Sequence, residues 1–123
     1  MALIHQHYGD VIDAAPLGER LASTASHALL KTGALELMRV VLRAGQGVPA
    51  HAVDAEAVLH CLEGSVRVDI DGAGRRLEAG QLVVVAAGAR YALQALEDAS
   101  LLVTMLLPYG GSASATSPGS SEG

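Results

Sequence analysis

Between Leu35 and Leu107 the chain sustains no helical period; short apolar or alternating runs are cut by Asp71-Gly72, Gly80, Gly88 and the acidic pair Glu97-Asp98. Many short strands that each need one covered face pack as a sandwich or a closed barrel, so the pattern predicts an all-β domain. In Ser65 to Ile70, Val66, Val68 and Ile70 alternate with Arg67 and Asp69, the period of a half-buried strand. Asp71-Gly72-Ala73-Gly74 then predicts a tight hairpin between Ile70 and Arg75. Leu35 to Arg43 places Met38, Val40 and Leu42 on one face and Arg39 and Arg43 on the other, toward water, and the turn Ala44 to Gly47 closes it. Ala57 to Leu62, Arg76 to Leu77, Leu82 to Val85, Tyr91 to Leu96 and Ser100 to Leu106 complete the strands.

The 123 residues amount to one domain with appendages. Residues 1–34 are an N-terminal arm in which Val11 to Ala14 and His27 to Lys31 are candidate strands and Pro16 to Ala22 a loop or one helical turn. Residues 35–107 form the barrel. Residues 108–123, a Gly/Ser/Ala-rich stretch, bury too little apolar surface to offset their ordering entropy and are expected to be a disordered tail. With no Trp, no Phe and three Tyr, the core rests on aliphatic side chains, and stacking platforms for bases are nearly absent. A formal charge of −5 also argues against nucleic acid. Apolar runs are far shorter than the roughly 20 residues that span a bilayer. The single Cys61 suits a reducing compartment, and residues 1–16 lack a basic segment followed by an apolar one, so a cytoplasmic protein without a membrane partner is expected.

Two segments carry more specific information. Gly45 to Gly64 reads GQGVPAHAVDAEAVLHCLEG and Gly80 to Ala95 reads GQLVVVAAGARYALQA. In order and spacing these resemble the two motifs of a small single-domain cupin of the RmlC-like type. That resemblance implies a double-stranded β-helix, a jelly-roll barrel with a site in its mouth, and frequently a homodimer. It also implies a metal held by His, His, Glu and His, ligands suited to iron, manganese, zinc or nickel. The matching positions here hold His51, Val53, Ala57 and Tyr91, so both motifs are degenerate. Valine and alanine have no lone pair to donate. No cofactor is therefore expected, a divalent transition metal is disfavoured, and His51 is the one residue left to hold one.

The barrel lining then comprises His51, Tyr91, Val53, Ala57, Cys61 and Met38. Strand parity turns Ala57, Leu59 and Cys61 inward and His60 outward, and Glu56 outward with it. Cys61 is read as a small buried hydrophobe ahead of a soft-metal ligand. Glu36 shares parity with Met38 and Val40, which points it toward the barrel mouth, but as a strand-end carboxylate it is expected to stand in water. His5 and His7 are spaced like a chelating pair, within a segment expected to be solvated.

His51 and Tyr91 are the catalytic candidates, because an imidazole and a phenol can serve as base and acid; the structural alternative is that His51 binds a backbone carbonyl near the rim and Tyr91 fills the void left by the lost ligands. Metal-independent sugar epimerases of the cupin superfamily are similar in using an internal His and Tyr. Three functions stay open. The first is metal-independent binding of a small molecule in the barrel. The second is an enzyme, either an acid/base isomerase or epimerase using His51 and Tyr91 or a metal enzyme with a rearranged ligand set. The third is a dimeric structural or interaction module. Val58 and Leu62 on an outer face, with a Leu101 to Leu107 strand apolar on both sides, call for a second copy as cover.

Overall fold

In the computed structural model, which describes residues 6–107, alternation of apolar residues sorts the strands into two facing antiparallel sheets. The strands are β1 (His27–Lys31), β2 (Leu35–Leu42), β3 (Gly47–Ala52), β4 (Glu56–Glu63), β5 (Ser65–Ile70), β6 (Ala73–Glu78), β7 (Leu82–Val85), β8 (Arg90–Ala95) and β9 (Ala99–Leu106). One sheet runs β1-β2-β9-β4-β7 and the other β3-β8-β5-β6. The all-β domain expected from the strand pattern is thus the jelly roll that the family resemblance implies. Asp71 (φ 49°) and Gly72 (φ 87°) make the two-residue turn between Ile70 and Ala73, with both central residues left-handed as a tight hairpin requires.

The core lies between the sheets. Leu59, Cys61, Val66, Val68 and Leu101 are fully buried, with Leu93, Val85, Val103 and Tyr91 around them. Each large aliphatic side chain removed from water in this way contributes about 1.5–3 kcal/mol. Tyr91 is the one aromatic ring in that cluster.

Strand β3 was not foreseen as a strand. Gly47 reads as the last residue of a turn, yet it and Pro49 lie in the edge strand of the four-stranded sheet, with a register shift between Val48 and His51. An edge strand tolerates a proline because its missing N–H would face outward.

Arg39 corrects a second expectation. Parity does put it on the outer face of β2, opposite Met38, but it is 4% exposed. The arm crosses over it: its guanidinium donates to the Asp13 carbonyl (3.1 Å) and the Ala15 carbonyl (3.0 Å). Glu63 holds the next residues, accepting from the backbone N–H of Leu17 (2.8 Å) and Gly18 (3.0 Å) and from the buried Ser100 hydroxyl. Residues 11–14 therefore form no strand; Asp13 among them supplies its carbonyl to a buried cation instead. A 3₁₀ helix, Gly18–Ser23, follows and buries Leu21, and His27–Lys31 pairs with β2 as a strand. Arg43 does stand in water, 3.4 Å from Asp98. The tail expected over residues 108–123, and His5, lie outside the described residues.

Candidate functional site at the barrel mouth

Connectivity fixes which strand ends meet. Strand β2 descends to Leu42 and turns through Arg43 to Gln46 into Gly47, so the Leu42 end of one sheet and the Gly47 end of the other close the barrel bottom. Gly45 N–H donates to the Ala95 carbonyl at that same end (2.9 Å). The opposite end holds two inner-face rows. In the five-stranded sheet, Glu36 pairs with Met105, Met105 with Ala57, and Ala57 with Val85. In the four-stranded sheet, His51 pairs with Tyr91 and Tyr91 with Ile70. These rows form the mouth.

His51 and Tyr91 are cross-strand neighbours, with ring centroids 4.6 Å apart and planes tilted by 48°. His51 Nδ1 lies 3.1 Å from the Pro49 carbonyl oxygen. A carbonyl only accepts, so the neutral ring keeps its proton on Nδ1 and offers the Nε2 lone pair. Tyr91 is 4% exposed, and no described residue hydrogen-bonds its hydroxyl. Burial pushes its pKa up, so the phenol keeps its proton and acts as a donor.

The remaining lining is apolar. Val53, Met38 and Met105 are half-buried against the core, and Ala57 is fully enclosed. Met105 was missed as a lining residue, although it shares parity with Leu101 and Val103. Cys61 is inward but four residues along β4 from Ala57, about 13 Å toward the bottom. Its thiol donates to the Glu63 carbonyl (3.4 Å), and burial holds its pKa up, so it stays a thiol away from the mouth. His60 pairs with Leu102 and Leu82 on the outer face, and Glu56 lies exposed on the same side. His7 stands in solvent beside Asp10.

A metal does not suit these residues. Val53 and Ala57 carry no donor atoms, His51 and a protonated Tyr91 remain, and no group of three His, Cys, Asp or Glu side chains among the described residues can hold an ion. Among the described residues no helix is long and apolar enough to cross a membrane.

Sequence comparison decides the family: the model described as the cupin domain matches residues 38–107. The chain is a cupin. No curated protein matches this cupin in sequence. A conserved protein of unknown function from Streptococcus pyogenes superposes on it with a TM-score of 0.68 at 25% identity, covering 88% of this chain and 96% of the other. An RmlC-like cupin from Shewanella frigidimarina gives 0.64 at 20% identity, with 69% and 77% covered. Salicylate 1,2-dioxygenase from Pseudaminobacter salicylatoxidans gives 0.63 at 23%, with 66% of this cupin matching 25% of that chain. Neighbours of this fold thus include both an enzyme and a protein without an assigned role.

Proposed function

We propose that this cupin binds a small, largely apolar molecule in its barrel mouth without a metal, His51 and Tyr91 fixing its orientation. The observation that carries this reading is the pairing of a bare imidazole acceptor with a buried, unpartnered phenol donor in an aliphatic wall. Ligand pockets commonly combine apolar lining with a few convergent polar groups. A screen of small polar and apolar fragments by ¹H–¹⁵N correlation spectra tests it. Shifts should centre on the amides of His51, Tyr91 and Ala57 and disappear in His51→Ala and Tyr91→Phe. Shifts scattered over the surface, or binding indifferent to both changes, would sink the reading.

An acid/base isomerase is the second reading, favoured by the open Nε2 of His51 beside the protonated Tyr91 hydroxyl. Epimerisation inverts a carbon and needs base and acid on opposite sides of the substrate, whereas these rings are neighbours in one sheet, an arrangement that suits only same-face proton transfer. Geometry supports binding ahead of inversion.

The protein is also proposed to be a cytoplasmic homodimer. Leu82, Val84 and Leu106 are exposed on the outer side of the five-stranded sheet, beside the half-buried Val58, His60 and Leu102. A second copy of this sheet is the simplest cover. Light scattering at micromolar concentration should give twice the chain mass; a monomer would contradict the proposal.

A further inference from the structure

Glu36 holds a place that neither the motif frame nor the two-residue site explains. It lies on the inner face of β2, in register with Met105 and, through Met105, with Ala57. Ala57 occupies the position at which the family resemblance implies a glutamate. Two strand spacings of roughly 4.8 Å separate the two positions, so a carboxylate belongs to the same row of the mouth but enters from a different strand. Glu36 is half-buried and makes no ion pair or side-chain hydrogen bond among the described residues. Two cations hold inner-face register positions. Lys31 is directly across from Glu36 on β1, and Arg75 is opposite Val68 on β6; both are exposed, on edge strands.

Resting on the binding reading above, we infer that Glu36 is the third polar group of the mouth and that the ligand is a small alkylammonium, from whose N–H groups the Tyr91 hydroxyl oxygen also accepts. The two acceptors, the Glu36 carboxylate and His51 Nε2, both call for a hydrogen-bond donor, and the carboxylate charge favours a cationic one. Met38, Met105, Val53 and Ala57 supply the apolar wall for an alkyl body. A carboxylate ligand would instead meet Glu36 as a like charge, in a chain of net charge −5.

Three probes of one shape separate the charge from the shape: isoamylamine, isoamyl alcohol and isovalerate, titrated near neutral pH into the full chain and followed by ¹H–¹⁵N correlation spectra. All three that bind should perturb the amides of Ala57, Tyr91 and Met105. The amine should bind about fivefold more tightly than the alcohol, the size of effect expected of a partly solvated ion pair, and isovalerate should bind weakest. Glu36→Gln should bring the amine down to the alcohol. An amine no tighter than isovalerate, a result read on the wild-type chain alone, would overturn the inference. So would an advantage of the amine that survives Glu36→Gln. Alcohol binding that depends on Tyr91, without preference for the amine, would overturn this inference and leave the binding site standing. Absence of any perturbation at the mouth would remove both.

Discussion

The Tyr91 hydroxyl is buried beside His51 and receives no hydrogen bond from any described residue, although the two rings are 4.6 Å apart. A buried polar group without a partner costs free energy that a phenyl ring would not. Tyr91→Phe should therefore leave stability unchanged or raise it by up to about 1 kcal/mol while weakening ligand binding. Urea unfolding reads the first effect. A loss of stability instead would mean that the hydroxyl is bonded in the native state.

Glu63 pins the N-terminal arm. Burial pushes its pKa up, but hydrogen bonds from Ser100, Leu17 and Gly18 and the Arg39 charge outweigh that, and the carboxyl titrates below the usual glutamate range. Glu63→Gln should cost about 2 kcal/mol at neutral pH and speed hydrogen exchange at the Leu17 and Gly18 amides. Because the folded pKa is depressed, the stabilisation is fully present above the unfolded value of about 4.3 and drains away as pH falls through the folded one. The gap between wild type and Glu63→Gln should accordingly shrink in acid. A gap that is constant from neutral pH into acid would mean that the charge does not hold the arm.

Two glycines with similar backbone angles should respond differently to alanine. Gly64 (φ +76°) would place a Cβ inside contact distance of the Asp98 carbonyl oxygen and 2.9 Å from Ala99 Cα, whereas Gly88 (φ +83°) has open space. Gly88→Ala should cost about 1–2 kcal/mol from the left-handed backbone alone, and Gly64→Ala a further 1–3 kcal/mol or so from overpacking. Denaturant midpoints of the two variants give the comparison; equal losses would contradict the close approach.

Cys61 is fully buried, donates to backbone carbonyls, and has its pKa raised by burial. Thiolate is the reactive form, so a disulfide reagent should label the folded protein only as fast as it opens, and at once in denaturant. Rapid labelling under native conditions would show that the barrel bottom is open.

Much of the fold was legible because strand parity is local. Val66, Val68 and Ile70 against Arg67 and Asp69 fix a face without any knowledge of partners, and Asp71-Gly72 fixes the turn that follows. Strand β3 was not legible, because Pro49 and Gly47 argue locally for a loop and only the edge position makes them acceptable. Arg39 failed for a different reason. Parity gave its face correctly, but the cover comes from residues 13–15, whose sequence carries no periodic signal that they would lie there. At the mouth, the motif frame located His51, Ala57 and Tyr91. The row joining Glu36 to Ala57 needed the pairing of β2 with β9 and of β9 with β4, contacts between segments distant in sequence.

A cupin site built from His51, Tyr91, Val53 and Ala57 should function without a metal, and the metal content of the protein decides whether it does. Untagged protein, purified without added metal, should carry iron, manganese, zinc and nickel far below one equivalent per chain by mass spectrometry of the elements. One equivalent of any of these metals, lost on His51→Ala, would show that the site is a metal centre after all.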